Sequence, residues 1–100
     1  MTPFEAVAEP SRRAILDILR AGERPAGDLV AALALSQPGV SKHLKLLREA
    51  GLVSVRADGQ RRLYRLQPQG LKELEAWLAP YRHFWADRLA ALGDHLERDQ

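Results

Sequence analysis

Between Ser36 and Arg62 the chain gathers side chains suited to a partner that is both negatively charged and rich in hydrogen-bonding edges. Gln37, Ser41 and Lys42 come first, then Lys45 and Arg48, then Arg56, Arg61 and Arg62. A glutamine amide can bond an adenine edge through two hydrogen bonds, a lysine reaches guanine acceptors, and a serine hydroxyl serves as donor or acceptor. Gln37, Ser41 and Lys42 are therefore assigned to bases. Lys45, Arg48, Arg56, Arg61 and Arg62 are assigned mainly to phosphates, which fix position without reporting sequence.

The charge distribution supports a polyanionic partner. Residues 1–35 carry four Arg against five acids, residues 36–66 carry two Lys and five Arg against two acids, and residues 67–100 carry four bases against six acids. The balance of −1, +5 and −2 within a net charge of +2 points to one surface built for a polyanion, where a uniformly basic chain would bind without discrimination.

Catalytic and metal chemistries fare worse. There is no cysteine, which removes disulfides, thiolate metal sites and one nucleophile. No glycine-rich phosphate loop and no cluster of acid, base and nucleophile occurs, and His43, His83 and His95 each fall on a helical stretch without a motif partner. An enzyme is not expected. His83 and Asp87 are four residues apart, with Asp94 and His95 farther on, but His and Asp on a helix more often form a solvated face than a site. No metal ligand and no cofactor is assigned. No run approaches the roughly 18 apolar residues of a membrane span. Met1 to Ala8 carries acidic residues and no apolar stretch, so it does not read as a secretory signal, and the expected location is the cytoplasm.

The elements that position these side chains follow from periodicity and punctuation. Pro10 suits a first helical turn, Ile15, Leu16, Ile18 and Leu19 supply an apolar side, and Gly22 is a stop, giving a helix from Pro10 to Ala21. Pro25 opens a second helix, with Leu29, Val30 and Leu33 at helical spacing, ending near Leu33 or Ala34. Ser36 is a good N-cap and Pro38 is tolerated in the first turn. Val40, Leu44 and Leu47 then recur on one face of a third helix from Gln37 to Ala50. Its opposite face presents Gln37, Pro38, Ser41, Lys42, Lys45 and Arg48, with His43 at the boundary, suited equally to core packing and to DNA. Gly51 fits a left-handed C′ position, with Leu52 closing back on Leu47.

Val53 to Ala57 and Gln60 to Leu66 read as two strands joined by Asp58-Gly59, a type I′ signal. In that register Arg56 faces Arg61, Val55 faces Arg62 and Val53 faces Tyr64. Two adjacent arginines are unfavourable unless an anion lies over them, and a phosphate backbone would serve. From Gln69 onward, Leu71, Leu74, Leu78, Tyr81, Trp85, Leu92 and Leu96 step by threes and fours through an amphipathic segment over about 69–97. Pro80 predicts a kink or break within it.

One mainly α domain over residues 1–100 results, in which two short helices, a turn, a third helix and a basic hairpin match a winged helix-turn-helix with a two-stranded wing. So thin a domain cannot cover Trp77, Tyr81, Phe84 and Trp85, which predicts a C-terminal dimerisation helix and a homodimer. Two third helices about 34 Å apart would match one turn of double-stranded DNA and an inverted-repeat operator. A protein-binding winged helix is the competing reading, since fold alone does not fix function, and the aligned basic face argues against it. Membrane binding is not expected, because the amphipathic C-terminal segment is net acidic.

Three stretches also carry a resemblance: Glu9-Pro10-Ser11-Arg12-Arg13-Ala14-Ile15-Leu16, then Leu35-Ser36-Gln37-Pro38-Gly39-Val40-Ser41-Lys42-His43-Leu44, then Leu47-Arg48-Glu49-Ala50-Gly51-Leu52-Val53. Over nearly its whole length the chain resembles the ArsR-type bacterial repressors, the middle stretch being the most specific. The resemblance implies that Ser36 to Arg48 is the recognition helix, Val53 to Leu66 the wing and the terminal helices the dimer interface. It also implies repression of transcription and release of DNA when an inducer binds, commonly a metal ion. Ala26, Gly27 and Asp28 stand where metal sensors of the family often carry a cysteine pair. Trp77-Leu78-Ala79-Pro80-Tyr81-Arg82 and Phe84-Trp85 look like a subgroup without those cysteines, so the inducer's chemistry is left open. The expected DNA-binding set is Ser36, Gln37, Pro38, Ser41, Lys42, His43, Lys45, Arg48, Arg56, Arg61 and Arg62.

Overall fold

The structure, a computed structural model, describes the backbone of residues 1–98 and the side chains of residues 1–93. In chain order it contains α1 (Pro3–Val7), α2 (Pro10–Leu19), β1 (Arg24–Pro25), α3 (Ala26–Leu33), α4 (Gln37–Glu49), β2 (Val53–Asp58), β3 (Arg61–Leu66) and α5 (Pro68–Arg98). The fold is mainly helical, with a three-stranded antiparallel sheet in the order β1-β3-β2.

Local chemistry accounts for most of the helix ends. A capping box between Thr2 and Glu5 starts α1. Pro10 opens α2 behind Glu9, whose carboxylate accepts the Arg12 N–H at 3.0 Å. Ser36 Oγ accepts the Gly39 N–H at 3.1 Å and starts α4. Replacing Ser36 by alanine leaves that donor to water, so an expected loss of roughly 1 kcal/mol should appear in urea denaturation. At the other end of α4, Leu52 N–H bonds Leu47 O at 3.0 Å and Gly51 N–H bonds Arg48 O at 3.1 Å, with Gly51 at φ 74°. This is the Schellman ending expected from Gly51 and Leu52.

One side of each helix of the body meets in a single core of Ala6, Ile15, Leu19, Leu29, Val40, Leu44, Leu47, Ala50, Leu52 and Val53. Val40, Leu44 and Leu47 are buried as their spacing predicts, and this fixes which face of α4 looks outward.

The hairpin register departs from the expectation. Asp58 pairs with Arg61, so the loop is Gly59-Gln60 and not Asp58-Gly59. Gly59 has φ 63° and is the only loop residue with positive φ. A type I′ turn needs positive φ at both central residues, whereas a type II′ turn asks it only of the first, which glycine supplies without strain. The shift by one places Arg56 opposite Leu63, Ala57 opposite Arg62, Val55 opposite Tyr64 and Val53 opposite Leu66. Arg56 and Arg61 therefore do not abut, and no overlying anion is required to relieve them. Arg61 instead faces Asp58, with Nη2 3.3 Å from Oδ2.

Two further elements extend the expected layout. The wing's two strands are joined by β1, where Arg24 pairs with Tyr64 and Pro25 with Leu63, so Pro25 ends a strand and α3 begins one residue later. Proline is tolerated there because β1 is an edge strand. α5 passes through Pro80 without interruption, so the predicted break does not occur. The helix absorbs the proline by leaving the Ala76 carbonyl without its usual N–H donor.

α5 begins against the end of α4. Gln67 N–H bonds Leu52 O and Gly70 N–H bonds Gly51 O, both at 2.9 Å. From there the helix, about 46 Å long at 1.5 Å per residue, runs out of a small body and stretches the molecule to 60 × 27 × 22 Å. No helix of the described residues is long and apolar enough to cross a membrane.

Candidate nucleic-acid interface

With Val40, Leu44 and Leu47 turned inward, the outer face of α4 exposes Gln37, Pro38, Ser41, Lys42, Lys45 and Arg48, and Ser36 is exposed at its start. The fold thus brings the base-reading candidates onto one convex helix surface. Arg48 sits in the last turn, where a cation also suits the negative end of the helix dipole. Between α4 and β2 lies an open cleft of about 540 Å³ lined by Lys45, Arg48, Glu49, Val53, Ser54 and Val55. Two cations over a polar-edged groove beside the helix form a suitable seat for a phosphate backbone.

His43 is placed differently. It is half-buried, with Nδ1 3.5 Å from Arg12 Nη1 and 3.9 Å from Glu9 Oε2, so it packs at the junction of α2 and α4. Arg12 was not legible as a key residue from the sequence. Its Nε donates to Ala6 O at 2.7 Å and Nη2 to Glu5 O at 3.3 Å, while Arg13 Nη1 donates to Val7 O at 2.8 Å. The two arginines bind the last carbonyls of α1 and tie that helix to α2. Partial burial pushes the Glu9 carboxyl up, but the Arg12 and Ser11 amides, with the charges of His43 and Arg12, outweigh it and hold the group below its ordinary value.

The wing cations separate into two groups. Arg56 Nε donates to Glu23 Oε2 at 2.7 Å and Nη2 to Oε1 at 3.0 Å, a two-pronged pair. Hydrogen bonds from Arg56 hold the Glu23 carboxyl below its ordinary 4.5 against a smaller opposing effect of burial, and Glu23 in turn raises Arg56. A carboxyl depressed in the folded state contributes stability above its unfolded value, lost as pH falls through the folded value, so this pair is intact at neutral pH and opens only in acid below about 4.5. Arg62 is exposed and makes no ion pair among the described residues. Arg65 Nε donates to Ser54 Oγ at 3.2 Å. Sequence reasoning missed Glu23 entirely, because its partner lies 33 residues away and no local pattern signals it.

The second exposed feature is apolar. Trp77, Tyr81, Phe84, Leu89 and Leu92 on α5 are each 52 to 62 % exposed, and Trp85 is also on the surface. Phe4 of α1 meets Trp77 edge-on at 5.8 Å, and Trp77 lies 5.0 Å from Tyr81. Arg88 stacks over Phe84 at 4.3 Å, and Arg82 pairs with Glu75. His83 and Asp87 are exposed on the same helix, and no group of three metal-binding side chains occurs among the described residues. The side chains of Asp94 and His95 lie outside the described residues.

Comparison with known proteins is consistent across sequence and fold. The family described as bacterial regulatory protein, arsR family, matches residues 9–55, which span α2 to the start of the wing. The chain is similar to the HTH-type transcriptional regulator Rv2034 of Mycobacterium tuberculosis, at 38 % identity over 96 % of this chain and 87 % of that protein. It is similar to the transcriptional repressor SdpR of Bacillus subtilis, at 36 % identity over 75 % of this chain and 83 % of that protein. Among solved structures, it resembles the homodimeric winged helix-turn-helix DNA-binding domain Mb0332 of Mycobacterium bovis, determined by solution NMR. The TM-score is 0.67 at 28 % identity, over 86 % of this chain and 80 % of that one.

Proposed function

Because the chain belongs to the arsR family of bacterial regulatory proteins, DNA-binding transcriptional regulators of winged helix-turn-helix fold and not enzymes, we propose that it is a homodimeric repressor of an inverted-repeat operator. The observation that carries this reading is the outer face of α4, where Gln37, Ser41, Lys42, Lys45 and Arg48 stand exposed together while the opposite face is locked into the core. In the proposed complex Gln37, Ser41 and Lys42 meet base edges in the major groove, with Ser36 and Pro38 at the helix start beside them. Lys45 and Arg48 seat a phosphate strand in the cleft against β2, and Arg61 and Arg62 of the wing reach the flanking backbone. His43 supports the helix from behind through Arg12 and Glu9.

The exposed α5 face supports the dimer. A lone amphipathic helix that leaves Tyr81, Phe84, Leu89 and Leu92 in water gains little from tertiary packing, and a second copy related by a two-fold axis removes that surface from solvent. Two α4 helices spaced about one turn of DNA then occupy successive major grooves and block a promoter.

Titrating the purified protein onto the DNA upstream of its own gene, across a salt series, tests the reading. Saturation at two protomers per site, with log affinity falling linearly in log salt, is expected. Binding to no duplex even at low salt would make this a protein-binding winged helix. The division of labour has its own signature. Lys42→Ala should cost about 1–3 kcal/mol on the operator and relax preference at one base pair, whereas Arg62→Ala should weaken operator and scrambled duplex alike and reduce the salt slope by about 1. Equal losses on both duplexes for both variants would contradict it.

A further inference from the structure

Arg56 is the one wing arginine whose guanidinium is held from both sides by a single carboxylate. Glu23 lies just before β1 and Arg56 in β2, the two outer strands of the sheet, and Leu63 of the central strand is opposite both Arg56 and Pro25. Cross-strand partners share a face, so the pair spans β3 above Leu63, which is buried although it lies in an otherwise exposed part of the hairpin. Arg56 follows Val55, which lines the cleft beside Lys45 and Arg48, but successive strand residues point to opposite faces, so Arg56 stands outside that cleft and reaches across β3 to Glu23. It is therefore a further cation of the wing, already occupied by a carboxylate that presents the same pair of acceptor oxygens as a phosphate.

We propose that Glu23 is a specificity-determining residue, which holds Arg56 in an intramolecular pair and so withholds it from loosely positioned DNA phosphates. This rests on the DNA-binding reading above. Sequence-independent affinity comes almost wholly from cations that displace counterions from phosphates. An arginine with a two-pronged partner contributes to that affinity only where a phosphate is presented closely enough to take the partner's place. Docking of α4 in its operator supplies such a fixed phosphate, and a sliding or scrambled complex does not. Glu23 thereby lowers binding to the competing mass of non-specific DNA more than it lowers binding to the operator.

The test compares wild type, Glu23→Gln, Arg56→Gln and the double variant on the upstream DNA and on a scrambled duplex of equal length, each over a salt series. Arg56 is exposed and Glu23 half-buried, and thermal melts establish that the variants are folded. Glu23→Gln is expected to tighten binding to the scrambled duplex by roughly 3- to 10-fold and to steepen its salt slope by about 0.9, the value for one added phosphate contact. On the upstream DNA the gain is expected to be smaller, so the ratio of the two affinities falls. The double variant is expected to match Arg56→Gln alone on both duplexes, since without Arg56 there is nothing to release. A gain from Glu23→Gln that persists in the Arg56→Gln background reports only the removal of a negative charge and overturns the proposal. So does weaker binding by Glu23→Gln, which would make the pair a strap that holds the wing in place. Wild type that binds neither duplex overturns the DNA-binding reading itself, an outcome distinct from both.

Discussion

Gly70→Ala is expected to lower the thermal midpoint by roughly 5–15 °C, the consequence of about 1–3 kcal/mol of overpacking in a small domain. A Cβ at this position would lie 2.8 Å from Gly51 O, 2.8 Å from Leu52 Cδ2 and 2.9 Å from Ala50 O. Two of these three atoms are backbone carbonyls in the ending of α4, itself fixed by the Leu52 to Leu47 bond, so they cannot swing aside as a flexible side chain would. Alanine is the better helix former by up to about 1 kcal/mol, but Gly70 is only the third residue of α5, where little of that gain is realised. The consequence reaches the proposed function because the Gly70 N–H to Gly51 O bond is where α5 meets the end of α4. Circular dichroism melts would show the loss, and an unchanged midpoint would mean that the two helices can separate at no cost. The same variant should weaken operator binding, because the angle between α4 and α5 sets the spacing of the two α4 helices in the proposed dimer.

Leu89→Glu should convert the proposed dimer to a monomer and weaken binding to the proposed operator by about 10²–10⁴-fold, the factor lost when two linked half-site contacts become independent. Leu89 is 62 % exposed, within the unpartnered half of α5, so in the isolated chain a glutamate there meets only water. In a two-fold interface the substitution introduces two carboxylates, one from each copy, into an apolar contact, and each must be desolvated. The winged body should melt close to wild type when both proteins are compared as monomers, because none of its core residues touches this position. Sedimentation equilibrium distinguishes the outcomes directly. A Leu89→Glu protein that remains dimeric would place the interface elsewhere, and one that is monomeric yet binds the operator as tightly as wild type would remove the dimer from the mechanism.

The elements that carry the site were legible in the sequence because their signals are local. Ser36, Val40, Leu44, Leu47, Gly51 and Leu52 contain the start, the buried face and the end of α4 within one stretch, so its exposed face could be assigned by subtraction. The long apolar stripe from Leu71 onward likewise identified α5 and its unsatisfied surface. α1 and β1 escaped notice because five and two residues are too few to show a period.

The wing's register was misread for a different reason. Asp58-Gly59 and Gly59-Gln60 both form acceptable two-residue loops, and the choice between them is made by cross-strand partners, with Asp58 gaining Arg61 and Leu63 gaining cover from Pro25 on a strand that the sequence did not announce. Composition and spacing by themselves determined that the chain carries a basic, amphipathic helix followed by a basic hairpin, since charge and period are properties of consecutive residues. Only the tertiary structure decided which of those cations are engaged within the protein: Arg56 by Glu23 and Arg61 by Asp58, with Arg12 joining α1 to α2 and reaching His43 of α4, and Gly70 seated against Gly51. All of these contacts join different elements of the fold. Their energies depend on distances that the chain sets only when it folds.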